Sequence, residues 1–296
     1  MRLPPPPAPT WRRVAVTGLG AVTPLGNGIS ATWRRVLAGE CGIKRLVPDD
    51  PTYPGARCIL PHAGQVSGVH TLPTALAATV ERGDEEGQFR WTGDLGTPHF
   101  IQYAAEASRE ALAMSGWAPQ TEEERCRAGV AIGSGIGSLE DVHQAYDTLG
   151  AGGGGYRRLT PHFIPRQDGV DQGAGVEILI NLAAGHVSIE HGLKGPNHSA
   201  VTACATGAHA IGDAARLIRC GEADVMVAGG SEGSIHDPAL AGFARMRALS
   251  TRFEDRPHAA SRPFDGERDG FVLAGGRCHG AGGDAAGPGQ GSRRTG

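Results

Sequence analysis

Val201-Thr202-Ala203-Cys204-Ala205-Thr206-Gly207 opens a stretch that continues through Ala208, Ile211, Ala215 and Ile218, stops at Gly221, and resumes as Ala223-Asp224-Val225-Met226-Val227-Ala228 before Gly229-Gly230. The apolar spacing predicts a helix over 205–220 with Gly221 as its stop, and the run after it predicts a buried strand over 223–228. Outward from this pair, 13–18 and 129–133 read as further strands. Residues 29–37, 98–115 and 178–190 read as helices, the second closed by Gly116. The polar, Pro- and Gly-rich stretch 49–94 reads as a surface excursion. Strands alternating with helices predict an α/β sandwich around a largely parallel sheet.

Composition narrows the function classes. The chain has 296 residues, 40% hydrophobic and 20% charged, enough to bury the core of one large domain or two small ones. Its 47 glycines are more than twice the roughly 7% of an average protein. With 28 basic residues against 31 acidic ones the formal net charge is −3, which gives no footprint for a nucleic-acid partner. No apolar run approaches the roughly 18 residues of a membrane span. Cys41, Cys58, Cys126, Cys204, Cys220 and Cys278 form no C-x-x-C pair, so they read as free thiols of a reducing compartment. The histidines show no metal-ligand spacing, and no metal or organic cofactor is predicted. The N-terminus carries Arg2, Arg12 and Arg13 without an acid, but the run Pro4 to Pro7 would break a presequence helix. Mitochondrial and cytoplasmic locations both stay open on this reading.

Cys204 is the first candidate for chemistry. Cys41, Cys58, Cys126 and Cys220 read as small buried hydrophobes, whereas Cys204 lies among small residues at the start of an amphipathic helix. Unpaired N–H groups and the helix dipole there favour a thiolate, and the same N–H groups suit an oxyanion. A second candidate is Gly229-Gly230-Ser231-Glu232-Gly233, which follows a predicted strand and matches a G-x-S-x-G nucleophile elbow. A serine hydrolase would need Ser231 with an acid and a histidine downstream. Asp237 and His258 stand in that order, although Pro238 interrupts the helix the elbow requires. Gly18-Leu19-Gly20 lacks the third glycine of a dinucleotide fingerprint and runs into Thr23-Pro24, so it is no cofactor loop. Gly133-Ser134-Gly135-Ile136-Gly137 lacks the Lys-Ser/Thr of a phosphate loop and reads as a tight turn or pocket wall.

Taken in order, the chain resembles the β-ketoacyl-[acyl-carrier-protein] synthases, the condensing enzymes of fatty acid synthesis. The resemblance is carried by 13–20, Thr23-Pro24-Leu25-Gly26, 133–137, Asn181-Leu182-Ala183-Ala184-Gly185, Leu193-Lys194-Gly195-Pro196, 202–207 and 221–230. It continues through Gly242-Phe243, Arg247-Ala248-Leu249-Ser250-Thr251, Arg262-Pro263-Phe264 and Arg268-Asp269-Gly270-Phe271-Val272. Gly87-Gln88-Phe89, Ala183-Ala184-Gly185 and His209 resemble the animal mitochondrial form most. The resemblance implies a thiolase-like fold, αβαβα, of which the N-terminal half and connecting segments are represented, and a homodimer. By position it implies that Cys204 takes an acyl chain from the phosphopantetheine of an acyl carrier protein as a thioester. A malonyl-carrier then decarboxylates and attacks that thioester. Ile136 and Phe243 match positions lining the acyl pocket and its gate, and Arg247 a basic residue near the carrier entrance.

The departures carry a second expectation. The family's decarboxylation histidines stand in HxTST-like and GHxxGAAG-like motifs that this chain lacks; Gly185-His186 belongs to the Asn181 helix instead. Residues 12–273 read as the ketosynthase N-terminal domain, with an atypical insertion near 166–177 and a disordered segment over 1–11. The stretch 274–296 has nine glycines and no Val, Ile, Leu, Phe or Met, and reads as a disordered tail. Read one base later, the codons for 276–284 can spell Ala-Ala-Ala-Met-Val-Leu-Glu-Glu, which resembles the family's next strand. These features predict a truncated chain that is catalytically incompetent, or that binds a full-length subunit, or that accepts an acyl group without condensing it.

Overall fold

A computed structural model of the chain describes residues 12–46, 72–93, 96–150, 159–160, 174–175 and 178–284. Strand β1 (Val14–Thr23) turns through β2 (Gly26–Asn27) into helix α1 (Ile29–Leu37), and short strands β3 (Lys44–Arg45) and β4 (Leu76–Ala78) follow. Next come α2 (His99–Ser115), α3 (Glu122–Cys126), β5 (Ala128–Gly133) and α4 (Leu139–Gly150). Strands β6 (Leu159–Thr160) and β7 (Ala174–Gly175) lead to α5 (Asn181–His191) and β8 (Asn197–His198). A 3-10 turn at Ala203–Ala205 enters α6 (Thr206–Arg219), and β9 (Val225–Gly230), α7 (Asp237–Arg245), β10 (Leu273–Ala274) and β11 (Arg277–Asp284) complete the order. Among the described residues no helix is long and apolar enough to cross a membrane.

The main sheet has the order β2-β1-β11-β9-β5-β8. Strands β9, β5 and β8 are parallel, whereas β11 runs antiparallel to both β1 and β9, and β2 antiparallel to β1. The sheet is therefore mixed, not largely parallel: four strands share a direction and two oppose it.

Side-chain alternation shows how this sheet is covered. Ala128, Val130 and Ile132 of β5, with Val227 of β9, join Ile101, Ala104 and Leu112 of α2 and Ala183, Ala184 and Val187 of α5. Ala131, Met226 and Ala228 point the other way, into a cluster with Ala210, Ala214, Leu217 and Ile218 of α6. A period of two with both phases apolar buries every residue of β5, because helices lie on each face. Helix α2 also packs directly on β1. A Cβ at Gly18 would stand 2.0 Å from the Ala111 carbonyl oxygen, and one at Gly20 1.9 Å from that of Ala107. The Gly18-Leu19-Gly20 motif thus makes room for a helix.

Two sequence expectations are corrected. Within 49–94, Leu76, Ala77, Ala78, Val80 and Phe89 are buried, because β4 pairs with β3 and β10 and Phe89 stacks edge-on against Tyr103 of α2. The surface reading fails there because proline and glycine flank a short apolar run. The second correction is the tail. Residues 274–284, expected to be disordered, contribute the end of β10 and all of β11, and β11 fills the slot between β1 and β9. Such a slot demands backbone N–H and C=O groups, which glycine supplies as fully as valine. The segments 1–11 and 285–296 lie outside the described residues, as does 166–177 apart from β7.

Candidate active site

Three parallel strands end on one edge of the sheet. Ile132 and Gly133 of β5 pair with Gly229 and Gly230 of β9, and Val130 and Ala131 with Asn197 and His198 of β8. The connections that leave these strands therefore emerge side by side: the 133–137 turn, the 231–234 segment and the segment that carries Cys204. Ligand sites of α/β sheets gather at this edge. Here the Ser231 N–H donates to the Gly133 carbonyl at 2.8 Å, and the Ser199 hydroxyl to the Ile132 carbonyl at 2.8 Å.

Cys204 sits in the middle of the Ala203–Ala205 turn, exposed, just ahead of α6. No side chain caps the start of that helix; the Thr206 N–H donates to the Ala203 carbonyl instead, so the 3-10 turn runs directly into α6. The turn is held by the Ala205 N–H on the Thr202 carbonyl at 3.0 Å and the Thr202 N–H on Thr206 Oγ1 at 2.8 Å. Ala203 has a φ of 49°, the left-handed region that a Cβ disfavours. A non-glycine residue persists there only where its surroundings over-determine it, and such residues cluster at functional sites.

The neighbouring turn supplies those surroundings. A Cβ at Gly133 would lie 2.3 Å from the Ala200 carbonyl oxygen and 2.4 Å from Thr206 Cγ2, and one at Gly135 3.5 Å from the Ala203 carbonyl oxygen. The expected tight turn is thus also a wall of the Cys204 segment, with half-buried Ile136 in it. Glu232 ties it down from below, accepting hydrogen bonds from the Ser134 hydroxyl (3.1 Å), the Gly135 N–H (2.9 Å) and the Ser234 hydroxyl (2.8 Å). Sequence reasoning passed over Glu232. An acid set between Ser231 and Gly233, straight after an apolar strand, was the available signal.

Phe243 and Arg247 lie further off. Phe243, half-buried on α7, meets the Phe271 ring edge-on at 5.2 Å and packs on a cluster containing Ile235, Leu240 and Leu249. Leu139, two residues beyond the 133–137 turn, packs against the same cluster. Arg247 is exposed, with a φ of 58° and its N–H on the Ala244 carbonyl at 2.9 Å. Among the described residues no hydrogen bond or ring contact joins either to Cys204.

The serine-hydrolase reading is corrected by burial. Ser231 has 0% exposure and its hydroxyl donates to the Phe100 carbonyl at 2.5 Å, so it ties β9 to α2 and presents no nucleophile. Gly233 is there for close approach: a Cβ would meet His99 Cβ at 2.8 Å. His258 is exposed on a separate turn, Pro257–Ala259. Cys41, Cys126 and Cys220, expected as small buried hydrophobes, are exposed free thiols because each ends or follows a helix or turn rather than facing a cluster. An open cavity of about 730 Å³ lies between α2 and α5, lined among others by Leu112, Trp117, Ile189 and His191. None of Cys204, Ile136, Phe243 or Arg247 lines it.

Comparison with known proteins gives this geometry a context. The family model described as "Beta-ketoacyl synthase, N-terminal domain" matches residues 11–278. The chain is 48% identical over 265 residues to the mitochondrial 3-oxoacyl-[acyl-carrier-protein] synthase of Arabidopsis thaliana, covering 88% of this chain and 54% of that protein. It is 45% identical over 270 residues to 3-oxoacyl-[acyl-carrier-protein] synthase 2 of Rhizobium meliloti, covering 88% and 56%. Among solved structures it matches a β-ketoacyl synthase from Burkholderia phymatum with a TM-score of 0.69 at 30% identity, over 92% of this chain and 59% of that one. A type II polyketide ketosynthase in complex with its acyl-carrier protein matches with a TM-score of 0.66 at 26% identity, over 93% and 59%. The chain spans little more than half the length of the relatives it matches.

Proposed function

We propose, from the premise that this chain belongs to the β-ketoacyl synthase family, that it serves 3-oxoacyl-[acyl-carrier-protein] synthesis in fatty acid elongation, with Cys204 as the acyl-accepting nucleophile. The observation that carries the reading is the exposed thiol on a strained turn directly ahead of α6, walled by the 133–137 turn. In this reading the Cys204 thiolate adds to the thioester carbonyl of an acyl-carrier. The carbonyl oxygen takes the negative charge against main-chain N–H groups, that of Cys204 among them. Collapse of the adduct forms the new C–S bond, breaks the old one, and releases the pantetheine thiolate, which takes up a proton. Condensation follows when a malonyl-carrier loses carbon dioxide and its carbanion attacks the Cys204 thioester; the new C–C bond forms, the C–S bond to Cys204 breaks, and the thiolate is released with the chain, now two carbons longer, on the carrier.

In the same reading Ile136 and Phe243 border the acyl chain and Arg247 faces the carrier. The carrier partner is supported by the ketosynthase complex whose solved structure holds an acyl-carrier protein. A homodimer, the five-layered thiolase-like αβαβα architecture and a mitochondrial setting belong to this reading too, the last supported by the plant mitochondrial relative. No metal or organic cofactor enters it beyond the pantetheine that arrives with the substrate. The step assigned to the described residues of this chain is acyl transfer, carried by the exposed Cys204 thiol. A second reading, a chain that pairs with another ketosynthase subunit, is favoured by the outward face of α6, where Ala208, Ile211 and Gly212 are exposed.

Intact-mass spectrometry tests the first reading. The 296-residue chain is incubated with acyl-carrier and then with malonyl-carrier, with Cys204→Ser as control. The expected outcome is an acyl adduct on the wild type that the variant lacks. A 3-ketoacyl product would extend the assignment to condensation, and a wild-type chain that gains no mass would sink the nucleophile.

A further inference from the structure

We infer that Glu232 is a positioning residue: its carboxylate holds the 133–137 turn against the backbone that presents Cys204, and so sets the reactivity of that thiol. The inference rests on the proposed role of Cys204 and adds a second residue to it.

Three donors converge on this one carboxylate. Oε1 accepts from the Ser134 and Ser234 hydroxyls and Oε2 from the Gly135 N–H. Ser134 is wholly buried and its Oγ also accepts the Gly137 N–H at 3.0 Å, so the turn is cinched from its first serine to its last glycine. The main chain of Glu232 is anchored in turn, its carbonyl accepting the Gly276 N–H at 3.1 Å. The turn also bears on the nucleophile segment. A Cβ at Gly135 would stand 3.1 Å from Glu232 Oε2 and 3.5 Å from the Ala203 carbonyl oxygen. Gly135 therefore faces both the carboxylate and the residue with the left-handed φ. With Gly133 against Ala200 and Thr206, the turn braces the chain before and after Cys204. Releasing Glu232 frees the brace, and the strained backbone at Ala203 relaxes.

Substitution separates charge from brace. Removing the brace lowers reactivity, since small misplacements of a reacting group cost rate steeply. Glu232→Gln keeps the shape. Its oxygen can accept the Gly135 N–H while the serine hydroxyls rotate to accept from its amide. Glu232→Ala removes the brace altogether.

The readout is alkylation by iodoacetamide, followed by peptide mass spectrometry, as the rate at Cys204 divided by the rate at Cys220. Cys220 is exposed at the opposite end of α6 and serves as the internal reference. Both rates come from the same molecules, so differences in concentration cancel. The wild type is expected to give a ratio of about ten or more. Glu232→Ala is expected to lower it at least about fivefold, and Glu232→Gln to hold it within about twofold. If Gln and Ala behave alike, or if Ala leaves the ratio unchanged, the inference is overturned. Should Glu232→Ala not fold, Glu232→Asp keeps the charge but draws the carboxylate one methylene back from its three donors, and an unchanged ratio there overturns it equally. A wild-type ratio near one would instead remove the nucleophile itself, before any substitution is made.

Discussion

His99 opens α2 with its Nδ1 3.4 Å from Glu140 and its ring stacked 6.0 Å from that of Tyr103. Burial, and then the positive charge of Arg82, pulls its pKa from 6.5 down to about 3. The ring is therefore neutral at pH 7 and its contact with Glu140 is no ion pair there. In the unfolded chain the same ring titrates near pH 6.5. A folded pKa below the unfolded one contributes stability above pH 6.5 that is lost as pH falls toward 3. Urea melts at pH 7 and pH 5 should show about 2 kcal/mol of acid loss in the wild type that His99→Gln does not suffer. Equal losses in the two proteins would contradict the neutral buried ring. At this scale the place of Cys204 ahead of α6 was legible in the sequence because its signal is local, small residues before an amphipathic helix. Glu232 was not, since two of its three donors, Ser134 and Gly135, arrive from 98 and 97 residues away. Ser231 matched a motif whose geometry the Phe100 carbonyl takes up.

Among the elements, the contact of α2 with β1 and the outward face of α6 make opposite predictions for the same substitution. Gly20→Ala would put a Cβ 1.9 Å from a backbone carbonyl oxygen, and neither main chain can give without parting helix from strand. It should destabilise the chain by about 3 kcal/mol or prevent folding. Gly212 lies within α6 with nothing within 4 Å of a Cβ, so Gly212→Ala should stabilise by about 0.5–1 kcal/mol through helix propensity alone. Denaturant midpoints for the pair test this, and a shared sign would contradict it. Four helices, α1, α2, α5 and α6, were legible to within a few residues: periodicity set their faces, and Gly116 and Gly221 marked two of their ends. Helices α3, α4 and α7 were not, and Pro238, read as interrupting a helix, stands in the first turn of α7. The purpose of Gly18 and Gly20 was not legible, because a glycine facing a helix and a glycine facing a phosphate look alike until the helix is placed.

At the scale of the whole molecule, β11 joins the two parts of the sheet. Without it β1 and β9 have no common partner in the sheet order, and the backbone groups along both would be left open. A chain stopped after Gly276 should lose the single cooperative unfolding transition of the wild type, as followed by circular dichroism during thermal melts. A sharp transition at an unchanged midpoint would show that the strand is dispensable. Composition hid this element. A side-chain pattern announces a strand only when its side chains do the packing, and the β1–β9 slot is defined first by main-chain hydrogen bonding. The sequence order of the partners also sets a timetable for biosynthesis. Val14 pairs with Asp284, and at roughly 5–20 residues per second a ribosome takes some tens of seconds to travel between them. Throughout that interval β1 has left the exit tunnel with its central neighbour unmade, so the nascent chain is exposed to mispairing and depends on chaperone cover until its final described strand is delivered.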